Sequence, residues 1–238
     1  MLVADAFLDL VLGSSCVGCH RPGRPLCRRC TAALPRHGLE RASSGSPEGL
    51  APTYVMGDYD DLLKALVIAH KERRVLALAR PLGGLLAGAV TAALTAQDVD
   101  PAAPVVLVPV PSRRRVVRGR GHDPTLVMTR LAAQALLGAG RPVLVGRLLR
   151  LRSGVADQAG LDADQRAANL SGSMAVDGHA VRRLGHRMPQ AHLVVCDDVV
   201  TTGATLRETR RAMAAVGAEV LAAACVAATR RRHRRELR

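Results

Sequence analysis

Between residues 193 and 205 the chain reads Leu-Val-Val-Cys-Asp-Asp-Val-Val-Thr-Thr-Gly-Ala-Thr. The apolar, β-branched run predicts a buried strand, His192 to Asp197, which delivers two adjacent carboxylates, Asp197 and Asp198, to its end. The turn Thr201, Thr202, Gly203, Ala204, Thr205 then leads into a helix. Backbone N–H groups and threonine hydroxyls in such a turn converge on one anion, with the positive end of the helix dipole behind them; this suits a terminal phosphate. Gly203 lets the backbone approach closely. The two carboxylates would repel that phosphate, so they fit a neighbouring group that donates hydrogen bonds or brings a divalent cation, such as ribose hydroxyls. A sugar phosphate accounts for both halves. The plain alternative is an acidic strand end followed by an ordinary threonine cap.

This stretch resembles the binding motif for 5-phosphoribosyl 1-pyrophosphate (PRPP) in type I phosphoribosyltransferases. The resemblance implies that Asp197 and Asp198 hold the ribose hydroxyls, with either also placed to act as a local base, while Thr201, Thr202, Gly203, Ala204 and Thr205 wrap the 5-phosphate. Type I enzymes place their pyrophosphate loop after the first core strand. Here Val108-Pro-Val-Pro-Ser-Arg-Arg-Arg115 ends a strand in a stiff turn, making Pro111, Ser112, Arg113, Arg114 and Arg115 the candidate loop. Such a cluster, if buried, requires a matching polyanion; if exposed, it is a solvated basic loop.

Arg120-Gly121, Gln158-Ala-Gly-Leu161 and Arg166-Ala-Ala-Asn169 extend the match, and with the N-terminal cysteines the order and spacing resemble the ComF family of competence-associated phosphoribosyltransferase-like proteins. Many members have Phe-Asn-Gln where this chain has His122, Asp123 and Pro124. By the resemblance, Gln158, Arg166 and Asn169 fall in a flexible hood that closes over substrate and excludes water; the alternative is a connecting surface loop. The implied activity is Mg²⁺-dependent transfer of a phosphoribosyl group from PRPP. The alternative is a non-catalytic or PRPP-regulated DNA-binding accessory in DNA uptake or recombination, acting with other DNA-uptake proteins on single- or double-stranded DNA.

A second set of residues carries different chemistry. Cys16, Cys19, Cys27 and Cys30 have the spacing C-x2-C-x7-C-x2-C. Four thiolates so arranged close a tetrahedral zinc shell with no open position, which makes the site structural. A reduced or redox-active set is the alternative, with His20 a possible substitute ligand. The apolar N-terminus carries Asp5 and Asp9 with no basic residue ahead of it, unlike a secretory signal, so a cytoplasmic protein is expected, and in a reducing cytosol clustered cysteines hold metal in preference to forming disulfides. Cys196 and Cys225 lie in apolar strands and read as core.

The elements that position these groups follow from composition and periodicity. The chain has 238 residues, 48% of them hydrophobic, with mean hydropathy +0.11, enough for an α/β core plus a small appendage. Net charge is +14, the pI is near 11.1, and 32 of the 34 basic residues are arginine because only Lys64 and Lys71 are lysine. Aromatics are limited to Phe7, Tyr54 and Tyr59, which excludes a base-stacking platform and leaves phosphate contacts as the use of the charge. Helices are predicted for Met1 to Leu12, Asp60 to His70, Leu76 to Leu94 (broken near Pro81 and Gly83-Gly84), Leu126 to Leu137 and Thr205 to Val216. Strands are predicted for Val105 to Val110, Val143 to Leu149, Met174 to Val176, His192 to Asp197 and Val220 to Ala227. Their alternation implies a mainly parallel sheet flanked by helices; the resemblance implies that this is a type I phosphoribosyltransferase fold, preceded by a zinc-ribbon-like module. The divisions are 1–42 for the helix and cysteine module, 43–53 for a linker, 54–229 for the main domain and 230–238 for a basic tail. No membrane span is expected, since the apolar run Leu82 to Leu94 fits a buried helix.

Overall fold

A computed structural model describes residues 14–40, 50–113, 117–119, 121–152 and 172–230. The expected helix at Met1 to Leu12, linker residues 43–49, Arg114, Arg115, Arg120, Gln158, Arg166, Asn169 and tail residues 231–238 lie outside the described residues.

In chain order the helices are α1 (Arg28–Ala32), α2 (Asp61–Lys71), α3 (Ala79–Ala96), α4 (Pro124–Gly138), α5 (Gly178–Arg187) and α6 (Ala204–Ala214). The strands are β1 (Leu39–Glu40), β2 (Thr53–Val55), β3 (Val105–Pro109), β4 (Val143–Val145), β5 (Leu149–Leu151), β6 (Met174–Val176), β7 (His192–Val200) and β8 (Val220–Ala228). Six strands form one sheet in the order β1-β2-β8-β7-β3-β4, parallel except at β1. This is the expected mixed α/β architecture with a mostly parallel sheet.

The strand period of two explains why β3 is apolar throughout. Val105 and Leu107 face a core built with α2, α3 and α4, whereas Val106 and Val108 face a second core built with α6 and the β5–β6 hairpin. Both faces are covered, and Val105, Val106, Leu107 and Val108 are fully buried.

Several expectations need correction. α3 runs unbroken through Pro81, Gly83 and Gly84. Pro81 lies in the first turn, where its missing N–H costs nothing. Gly83 marks a close helix crossing, since a Cβ there would sit 2.5 Å from the Leu131 Cβ of α4. The run Val143 to Leu149 is not one strand: Val143–Val145 pairs with β3, and Leu149–Leu151 leaves to pair antiparallel with β6. An apolar run carries no record of which sheet it joins. β7 extends to Val200, with Val199 and Val200 paired to Ala227 and Ala228, so the acid pair lies inside the strand. Helix α5, capped by the Asp177 carboxylate on the N–H groups of His179 and Ala180, had no counterpart in the reading of periodicity.

Leu76–Ala96 is, by length and composition, apolar enough to cross a membrane. In the fold it is a core helix: Leu82, Leu86 and Val90 are fully buried, against α4 and the sheet.

Candidate functional site

Parallel strands bring their carboxyl ends to one edge, and here that edge gathers three pieces of chain. The last partner of β3 on β7 is Cys196, opposite Pro109. Beyond it β7 continues with Asp197 and Asp198 while the β3 side opens into the loop Pro111–Arg113. The turn Thr201–Gly203 follows β7 directly, so the acid pair lies close to both loops in the chain order of this edge.

In that turn Gly203 adopts φ +76°, the left-handed region, and serves as the N-cap of α6. It has no side chain to cap the N–H groups that follow. The Thr202 hydroxyl accepts from the Ala204 N–H at 3.4 Å. Thr201 and Thr202 are exposed, Thr205 is half-buried, and Gly203 and Ala204 are buried. Arg207, one turn into α6, donates to the Thr202 carbonyl at 3.4 Å and so adds a cation beside the turn. Sequence reading missed it, although its position in the first turn of the helix was visible.

The acid pair is tightly held. Asp197 Oδ1 accepts from the Asp198 N–H at 2.8 Å, and Asp198 Oδ1 accepts from the Val199 N–H at 2.9 Å. Asp198 is 5% exposed, and its Oδ2 takes the Lys71 ammonium at 2.5 Å. Burial pushes the Asp197 carboxyl well up, the adjacent Asp198 charge adds to this, and Lys71 opposes both. Lys71 comes from the end of α2, 127 residues earlier, and was not among the sequence-predicted site residues. Its signal was the need of two neighbouring acids for a countercharge.

On the other loop, the Ser112 hydroxyl donates to Asp123 Oδ1 at 2.9 Å, and the same oxygen caps α4 by accepting from the Leu126 N–H. Asp123 and Pro124 thus act as N-cap and first helical residue of α4 and tie that helix to the loop. Arg113 is half-buried. His70, 1% exposed, packs its ring 5.5 Å from that of His122 and joins α2 to the same region.

Behind α6, the buried Glu208 carboxylate accepts from the Met174 N–H at 2.9 Å and is bridged by Arg211 at 2.7 Å. Burial alone would raise Glu208, but Arg211 and the Met174 and Gly172 N–H groups outweigh it and hold the carboxyl below its usual value. The β5–β6 pair is thereby fastened to α6.

The four cysteines form a separate cluster. Cys16, Cys19, Cys27 and Cys30 place their sulfurs within 4.8 Å of one another. Zn–S bonds of about 2.3 Å require sulfurs roughly 3.8 Å apart, and Cys19 and Cys27 are at 3.6 Å. The Cys27 and Cys30 N–H groups point at the sulfurs of Cys16 and Cys27, at 3.4 and 3.5 Å. Burial would raise Cys16, yet the N–H groups of Cys27, Cys19 and Gly18 bring it to about 6, while burial and the other thiols push Cys30 up to about 12. The set could hold a zinc ion as four thiolates, with every position filled by protein.

Residues 154–238 match the family model for the phosphoribosyl transferase domain, a span that includes β6, α5, β7, α6 and β8. Over 36 residues the chain is 58% identical to the orotate phosphoribosyltransferase of Bartonella tribocorum (strain CIP 105476 / IBS 506), covering 15% of this chain and 19% of that protein. The match therefore spans about a fifth of the relative's length.

Proposed function

We propose that this chain binds PRPP with Mg²⁺ and transfers its phosphoribosyl group to an acceptor, within the ComF family of type I phosphoribosyltransferase-like proteins. One observation carries it: an acid pair inside β7 followed by a glycine-capped helix start, with a second basic loop on the neighbouring strand. The N–H groups and hydroxyls of Thr201 to Thr205 receive the 5-phosphate; Asp197 and Asp198 accept the ribose hydroxyls; Pro111 to Arg115 receive the diphosphate. In the transfer the ribose C1–O bond breaks, its electron pair leaves with the diphosphate, and a lone pair of the acceptor forms the new bond to C1. Arg113 to Arg115 stabilise the departing charge, and positioning does most of the rest. Besides holding the ribose, either Asp197 or Asp198 is placed to act as a local base. Positive groups on one side and carboxylates on the other fit a ligand that carries its own cation, and Mg²⁺ on the diphosphate supplies charge neutralisation when bound.

A zinc ion in the cysteine cluster would have a structural role, and the reduced thiols it needs fit a cytoplasmic protein. Calorimetric titration of PRPP with Mg²⁺ into wild type and the Asp197→Asn/Asp198→Asn double variant tests the assignment. Binding to the wild type that is lost in the variant is expected; equal binding in both removes it. A wild type silent to PRPP that binds DNA with steep salt dependence, lost on deletion of residues 230–238, would favour the DNA-binding alternative. Arg230, where that tail begins, is already paired with Asp58 and Asp60 at 2.8 and 3.1 Å.

A further inference from the structure

Two adjacent carboxyl groups in a mostly buried strand call for a nearby cation, and the chain supplies it from a distant element. Lys71 Nζ lies 2.5 Å from Asp198 Oδ2, whose side chain is 7% exposed. The backbone that presents it is fixed, because Leu66, Val67 and His70 of the same helix are buried in the core. The bond does not use up the acceptor. Asp198 Oδ1 takes the Val199 N–H and Oδ2 takes Lys71, and each carboxylate oxygen retains a second acceptor direction. Composition adds weight: in a chain that uses arginine at 32 of its 34 basic positions, a lysine stands at this one. A compact ammonium delivers a point charge to one oxygen, whereas a guanidinium fork would span both.

We infer that Lys71 is a positioning residue of the ribose site, holding the Asp198 carboxylate in the orientation from which it accepts a ribose hydroxyl. The inference rests on the PRPP assignment above and adds a residue from α2 to a site otherwise built from the ends of β3 and β7. Among the described residues, Tyr59, His70, Cys196 and Cys225 are titratable groups that interact electrostatically with the acid pair, and Lys71 is a cation in contact with it.

The test is calorimetric titration of PRPP with Mg²⁺, of ribose 5-phosphate and of 2-deoxyribose 5-phosphate into wild type, Lys71→Met, Lys71→Arg, Asp198→Asn and the Lys71→Met/Asp198→Asn double variant. Loss of a charge-assisted contact weakens Lys71→Met binding of both ribose ligands about tenfold. The preference for ribose over deoxyribose shrinks in the same variant, Lys71→Arg recovers part of it, and the double variant is no weaker than Asp198→Asn alone. A general loss of structure would not single out one sugar hydroxyl. Should Lys71→Met fail to fold with Asp198 left buried, Lys71→Arg and the double variant carry the same comparison. Unchanged ribose 5-phosphate affinity, additive losses in the double variant, or a loss confined to PRPP would overturn the role of Lys71 and leave the PRPP assignment standing. A wild type that binds none of the three ligands overturns both.

Discussion

At the scale of single residues, backbone conformation and buried polar groups set the sharpest expectations. Gly203 holds φ +76° at the head of α6, so Gly203→Ala should cost about 1–2 kcal/mol from the left-handed backbone alone, read as a lowered midpoint in thermal unfolding. Ligand affinity should fall with it, because the turn must relax away from the phosphate. Glu208→Ala leaves the buried Met174 N–H without its acceptor, a loss of about 1–3 kcal/mol in denaturant unfolding. Since Glu208 is held low in the fold, the stability it contributes is present above its unfolded value and is lost as pH falls through the folded one. His70 behaves differently. Burial holds it low, so the unfolded chain takes up its proton near pH 6.5 before the folded chain does, and stability drops as pH falls below that point. His70→Phe should make the fall in melting temperature below about pH 6.5 shallower, whatever its effect at neutral pH. Of these residues Gly203 was legible in the sequence through its turn. Glu208 and His70 were not, because their environments are assembled from other elements.

At the scale of elements, the cysteine module shows how far spacing alone carries. The C-x2-C-x7-C-x2-C pattern foretold a closed four-sulfur set, and the fold draws those sulfurs within 4.8 Å. Spacing did not say where the module docks: Val17, Leu26 and Leu34 pack against the same core as α2 and α3. Treatment with a strong chelator should therefore release zinc, expose residues 14–34 to proteolysis and lower the melting temperature, while the sheet domain keeps its circular dichroism. Global loss of the sheet signal at the same chelator concentration would show that the two parts fold as one unit. The β5–β6 hairpin is the contrasting case. Its strands are three residues each, too short to announce their partners, and packing of β6 on α6 decides their place.

At the scale of the whole molecule, the candidate site is a sheet edge where elements distant in sequence end. A ligand bound only by the native state should raise overall stability, by about 2.7 kcal/mol when free PRPP is a hundredfold above its dissociation constant. A thermal-shift titration of wild type and the double aspartate variant reads this directly, and a shift in both would place the ligand elsewhere. Amino-acid order by itself determined the buried parallel strands, the acid pair leading into a glycine-capped turn, and the cysteine set, because apolar alternation, turn chemistry and ligand spacing all act within a few residues. Only the tertiary structure decided that Leu149 leaves the main sheet, that α3 passes unbroken through two glycines, and that Lys71 faces Asp198 across 127 residues. Those outcomes depend on which surfaces are covered once both faces of the sheet are packed, and no short stretch of chain contains that information.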